Sequence, residues 1–213
     1  MNARLKLRRD LNKWCRTQLD LYPKLAEEDD IVNAAEPESD RLLLPSDFDE
    51  PQRRFLGLGE LAKVEYALRE GQAYDALDKL RLAIQTFNHN MKFKINQVCG
   101  QGPNTRAQAF LRTLSNDKIG TADKYRTART ALLALGLSRD DPSLQPLHDN
   151  QLWCKNESAV PAQGDTKRED PRYWMVGCPS GLSTEEEAEW QVEHKYPFPF
   201  SYAIELTNHS QQS

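Results

Sequence analysis

The stretch Ala73-Tyr74-Asp75-Ala76-Leu77-Asp78-Lys79-Leu80-Arg81-Leu82-Ala83-Ile84-Gln85-Thr86-Phe87, continuing through Met91 and Ile95 to Val98, decides how the rest of the chain is read. Leu77, Leu80, Ile84, Phe87, Met91, Ile95 and Val98 recur every three or four residues. At 100° per residue they fall within about 80° of arc, one face of an α-helix. Leu82 and Phe93 mark a second apolar face, and Arg81, Gln85, Asn88 and Lys92 form a polar strip between the two. A helix with two apolar faces is expected at the centre of a group of helices. The fold class that follows is all-α: an irregular helical bundle with a loop-rich, partly disordered C-terminal third.

Working outward, Glu60 to Glu70 reads as a short helix with Leu61, Val64 and Leu68 inward and Gly71 at its end. Ser46 or Asp47 is placed to cap a shorter helix carrying Pro51, and Gly57 and Gly59 turn the chain around Leu58. Downstream, Gly100-Gln101-Gly102-Pro103 breaks the long helix. Asn104 or Thr105 starts another, with Ala107, Phe110, Leu111 and Leu114 inward. A further helix, Asp117 to Leu135, carries Tyr125, Ala128, Leu132 and Leu135. Gly120 weakens its start and Gly136 suits its end. The phrase Leu68 to Leu77 resembles a tetratricopeptide turn, but no second copy lies 34 residues away, so a simple helical hairpin is the reading.

At the N-terminus Leu7, Leu11, Trp14, Gln18, Leu21 and Leu25 follow a heptad seam that Pro23 interrupts. Leu7, Leu11, Trp14 and Leu21 are the candidate interaction face, and another helix is expected to cover them. The division is therefore 1–35, an amphipathic helix with a proline kink; 36–45, a linker; and 46–137, the helical bundle. Residues 138–182 form a proline-rich extended segment, 183–195 a short acidic helix opened by the capping box Ser183-Thr184-Glu185-Glu186, and 196–213 a disordered tail. Leu144, Leu147, Leu152, Trp153, Tyr173 and Trp174 interrupt the polarity of the extended segment, which predicts that parts of it strap onto the helices.

With 213 residues, 38% hydrophobic and 28% charged, the chain has too little apolar material for one dense core throughout. No run of about 18 apolar residues occurs, which excludes a membrane-spanning helix. The N-terminus is charged and lacks a signal-peptide core. An intracellular, reducing environment with free thiols follows as the expectation. Cys15, Cys99, Cys154 and Cys178, and the four histidines, have no metal-ligand spacing, so no metal and no cofactor is expected. Cys99 reads as a core thiol.

Charge is uneven. Residues 1–16 hold six Lys/Arg and one acid; residues 79–129 hold ten Lys/Arg and only Asp117 and Asp123; residues 137–213 hold six basic and thirteen acidic residues. Arg81, Lys92, Arg106, Arg112, Lys118, Lys124, Arg126 and Arg129 are the candidate phosphate contacts, giving salt-dependent, sequence-independent nucleic-acid binding. The plainer reading is helix solubilisation, with local pairs such as Asp123–Arg126. Catalytic signals are poor. Glu60, Glu65 and Glu70 share no helix face, and no phosphate loop, nucleophile elbow or zinc signature occurs. No enzyme activity and no small-molecule substrate is expected.

Several phrases resemble one source: Leu42-Leu43-Leu44-Pro45-Ser46-Asp47, Leu56-Gly57-Leu58, Leu68-Arg69-Glu70-Gly71-Gln72-Ala73, Asn104-Thr105-Arg106, Ala122-Asp123-Lys124-Tyr125-Arg126, and Gly181-Leu182-Ser183 with Glu185 to Trp190. They are similar to the C-terminal region of fungal Kyakuja–Dileera–Zisupton (KDZ) transposase-type proteins, over about Trp14 to Glu193. The resemblance implies a region downstream of a nuclease core, with no catalytic residue of that core in this sequence. It implies a non-enzymatic interaction or assembly module, a relic of a mobile element, with nuclear location. Without it the expectation is cytoplasmic. A protein partner or self-association is the leading expectation, and weak nucleic-acid binding through 79–129 the alternative. Residues beyond Glu193 depart from the resemblance.

Overall fold

The computed structural model describes residues 3–27, 38, 42–153, 171–177, 182–186 and 190. The fold is all-α, with no strand among the described residues. Four helices are complete among the described residues: α1 (Ala3–Leu21), α2 (Glu50–Leu56), α3 (Gly59–Gln97) and α4 (Gln101–Ala134). Short 3-10 turns occur at Pro23–Glu27, Pro45–Asp47, Asp149–Gln151 and Arg172–Met175.

Two expected helix ends are absent. Gly71 lies inside α3, and α4 runs unbroken through Ser115, Asn116 and Gly120, so each pair of expected helices is one continuous helix. A mid-helix glycine costs about 1 kcal/mol relative to alanine. That is small beside the packing gained on both sides of it, where Glu65 and Ala73 flank Gly71, and Leu111 and Ala122 flank Gly120, as buried residues. The break at Gly100 is real: its φ of +88° is left-handed, and α4 restarts at Gln101 with Pro103 in the first turn. Asn104 and Thr105 lie inside α4 rather than capping it.

The chain divides into two compact units. The first comprises Met1–Ala73 with Thr127–Asp141. Here part of the α1 seam meets the irregular 42–44 stretch rather than the expected helix, and Leu7, Trp14 and Leu21 stay exposed. Trp14 Nε1 donates to the Leu42 carbonyl at 3.3 Å, and Gln18 Nε2 donates to the Leu43 carbonyl at 2.7 Å. Leu25, Leu43, Phe48, Leu56 and Leu58 form the apolar core, with Leu19, Tyr22 and Leu61 against it. The cap of α2 is Asp49, not Ser46 or Asp47. Its carboxylate accepts from Gln52 N at 2.8 Å while the Gln52 side chain accepts from Asp49 N at 3.0 Å. On α3 the inward residues are Glu65 and Ala73, with Leu61 half-buried; Val64 and Leu68 are exposed, correcting the expected face. Glu65 is buried because it is satisfied. It accepts from Ser46 N at 2.9 Å, Ser46 Oγ at 2.7 Å and Arg69 Nε at 3.2 Å.

The second unit comprises Tyr74–Arg126 with Pro142–Ser213. Leu77, Leu80 and Ile84 of α3, and Leu111, Ala122 and Tyr125 of α4, are buried. The long helix was expected to be buried throughout, and it is not. Phe87 and Met91 are half-covered, and Ile95 is 73% exposed. The heptad run 77, 80, 84, 87, 91, 94, 98 explains this, since it puts Lys94 rather than Ile95 on the seam. Lys94 Nζ accordingly donates to the Gln108 side chain of α4.

The stretch after α4 is irregular but packed where it carries large apolar residues. Leu144, Leu147, Leu152, Tyr173 and Trp174 are all buried. Tyr125 Oη donates to the Gln145 carbonyl at 2.6 Å, and Tyr173 Oη to the Gln151 carbonyl at 3.1 Å. Trp174 Nε1 donates to the Trp153 carbonyl at 3.2 Å. The capping box at Ser183 forms: Ser183 N donates to Glu186 Oε2 at 2.8 Å, and Glu186 N to Ser183 Oγ at 3.3 Å. These bonds hold the Glu186 carboxyl below the usual carboxylate range. The expected tail at 196–213, and Cys154 and Cys178, lie outside the described residues. Cys99 is exposed, not the core thiol that the sequence suggested, because it sits in the turn after α3.

Candidate interaction surfaces

The eight cations expected to contact phosphates do not converge. Arg81 is 7% exposed, and its guanidinium is spent inside unit 2. Nε and Nη2 donate to the Tyr173 carbonyl at 3.2 and 2.6 Å, Nη2 also to the Val176 carbonyl, and Nη1 to Asp78 Oδ1 at 2.6 Å. Burial pulls its pKa down, partly offset by the charge of Asp78. Lys118 is half-buried, with Nζ 4.8 Å from the centroid of the Phe87 ring, and burial lowers its pKa as well.

Arg126 donates to the Leu147 carbonyl at 3.0 Å and pairs with Asp123 at 2.8 Å and Asp149 at 2.6 Å. Burial works against its charge, but the hydrogen bonds from Asp149 and Asp123 outweigh it and raise its pKa. Within unit 1, Arg129 donates to the Arg139 carbonyl at 3.1 Å. Lys92 is half-buried, while Arg106, Arg112 and Lys124 are exposed. At 100° per residue Arg112 lies about 120° around α4 from Arg106 and Lys124. These three cations therefore share no single face.

The apolar set expected on α1 also divides. Leu11 is half-buried, and Trp14 is tied by its indole N–H to the 42–44 stretch. Leu7 is part-exposed and Leu21 points out. Leu7, Trp14 and Leu21 are 38%, 46% and 69% exposed and, seven residues apart, share one side of α1.

What the second unit does leave open is apolar. Leu82, Phe93 and Ile95 on α3, and Phe110 and Ile119 on α4, are all at least 40% exposed. Leu82 and Phe93 share one side of α3, away from its seam. The sequence had suggested Phe110 as a core residue. Its neighbour Leu111 takes that place, because the α4 seam runs through Leu111, Leu114 and Lys118. Over residues 92–118 the same hairpin carries Lys92, Lys94, Arg106, Arg112 and Lys118 against the single acid Asp117.

A crevice lined by Tyr125, Pro142, Gln145, Leu147, Arg172 and Tyr173 has a cavity volume of ≈ 20 Å³. That is room for about one water, too small for a substrate. Among the described residues no group of three or more His, Cys, Asp or Glu side chains is arranged to hold a metal ion, and no helix is long and apolar enough to cross a membrane.

No protein-family model, curated protein or solved structure matches the chain.

Proposed function

We propose that the chain is a non-enzymatic helical interaction module that self-associates through the α3–α4 hairpin of its second unit. The observation that carries this reading is the open apolar set Leu82, Phe93, Ile95, Phe110 and Ile119. Apolar side chains left exposed along one helical hairpin favour a protein interface, since covering them removes area from water at about 25 cal/mol per Å². The resemblance to the C-terminal region of fungal KDZ transposase-type proteins fits the same reading, as an accessory assembly region of a mobile-element protein. Size-exclusion chromatography with light scattering tests it. Self-association gives a mass above 24.4 kDa that falls back to 24.4 kDa in F93S/I95S/F110S with the helical circular-dichroism signal intact. A wild-type monomer across the accessible concentration range removes the reading.

The second reading is non-specific nucleic-acid contact by the hairpin, favoured by the exposure of Arg106, Arg112 and Lys124. Loss of duplex binding in R106E/R112E/K124E supports it; unchanged binding refutes it.

A further inference from the structure

Helix α1 carries a feature that the count of basic residues in 1–16 does not reveal. Lys6, Arg9, Lys13 and Arg16 are spaced 3, 4 and 3. At 100° per residue they occupy about 80° of arc, and at 1.5 Å per residue they span about 15 Å. All four are exposed. The side chains of Lys6, Lys13 and Arg16 make no hydrogen bond or ion pair among the described residues, and Arg9 meets only Asp10, at 4.0 Å. The acids of α1 are Asp20, at the C-terminal end of this face, and Asp10, at its border. On the apolar side of the helix Trp14 and Gln18 donate to the Leu42 and Leu43 carbonyls, while Leu7 and Leu21 are exposed.

We infer that this stripe is a binding site for a nucleic-acid phosphate backbone, separate from the hairpin and independent of its role. Four cations in a row, about 5 Å apart along the helix, suit a chain of regularly spaced phosphates, read without regard to base sequence. An anionic membrane is the weaker match. An amphipathic helix holds a bilayer by inserting its apolar face; on α1 Trp14 and Gln18 of that face are bonded to the Leu42 and Leu43 carbonyls and Leu11 is half-buried, while Leu7 and Leu21 stay exposed.

The test uses the full chain and a fluorescent DNA duplex of about 20 base pairs, with anisotropy read across a salt series. Four phosphate contacts give a slope of log affinity against log salt of about −3.6, so raising salt from about 50 to about 200 mM weakens binding about 150-fold. In K6Q/R9Q/K13Q/R16Q the binding disappears while helicity is kept, because glutamine is a good helix former and the positions are exposed. K13Q alone makes the slope shallower by about 1, and K6R/K13R binds as wild type does. R106E/R112E/K124E leaves this binding unchanged. The inference is overturned by no duplex binding at about 50 mM salt, or by undiminished binding in the fourfold glutamine variant. Binding to phosphatidylserine vesicles with none to DNA overturns it too.

Discussion

Arg81 and Tyr173 stand 92 residues apart in the chain, and two nitrogens of the Arg81 guanidinium donate to the Tyr173 carbonyl oxygen. The Tyr173 carbonyl also accepts from Val176 N at 3.3 Å at the end of the 3-10 turn Arg172–Met175, and Arg81 reaches the Val176 carbonyl just beyond it. Arg81 therefore ties the irregular C-terminal stretch to α3 within unit 2. R81A removes every one of these charge-assisted bonds, leaving the Tyr173 carbonyl only its Val176 amide, and should cost about 2–4 kcal/mol of unfolding free energy. R81K keeps the charge but not the planar fork, and should recover only part of the loss. Urea unfolding followed by circular dichroism measures both; a change under about 0.5 kcal/mol for R81A would refute the role.

Gln18 and Leu43 form a comparable joint in unit 1. Leu43 has a φ of +50°, a conformation that side chains with a Cβ resist, yet it is buried and its carbonyl is held by Gln18. Removing the donor in Q18L should cost about 1–3 kcal/mol. At most buried sites glycine is worse than alanine. Here L43G should be more stable than L43A by about 1 kcal/mol, because glycine escapes the left-handed penalty. The opposite order in thermal melts would show that the backbone there is not under strain.

Glu65 anchors the 45–47 turn. E65A leaves the Ser46 amide and hydroxyl and the Arg69 side chain without their acceptor, with an expected loss of about 2–4 kcal/mol. S46A removes only the hydroxyl bond and should cost about 1 kcal/mol. Equal losses in the two variants, measured by chemical denaturation, would contradict the bonding pattern.

Lys118 occupies a seam position of α4 against Phe87. K118M should raise stability by about 1 kcal/mol, or the melting temperature by about 2–4 °C, since methionine fills the same space without a desolvated charge. The pH dependence has a definite sign. Burial lowers the Lys118 pKa below 10.5, so the unfolded chain holds this proton more tightly than the folded one. Native stability from this group therefore rises with pH between the lowered folded value and 10.5, and K118M lacks that rise. Parallel stability–pH profiles in the alkaline range would rule out the desolvation.

The all-α class, the turns at Gly57 and Gly100 and the capping box at Ser183 were legible because each rests on a local pattern. The inner face of Leu77, Leu80 and Ile84 was legible for the same reason. The fates of Gly71 and Gly120 were not, since a glycine can end a helix or sit inside one, and packing on both flanks decides. Ile95 and Lys94 are adjacent, and 100° geometry alone admits either to the seam; a partner helix bearing Gln108 selects Lys94. Among the candidate cations, sequence could count Arg81 and Arg126 but not see that backbone carbonyls consume them. The α1 stripe was open to reading from its 3-4-3 spacing, and only its burial state distinguishes a free face from a covered one.

Sequence alone determined that this chain is helical, where its large apolar residues recur, and that its charge is unevenly spread. These follow from propensity and periodicity, which act over a few residues. Tertiary structure decided which of those residues are covered, which cations remain free, and that the 42–44 stretch rather than a helix bonds to Trp14 and Gln18 of α1. Those outcomes depend on contacts between residues far apart in the chain, where the burial of one side chain is fixed by whichever distant segment can satisfy its polar neighbours.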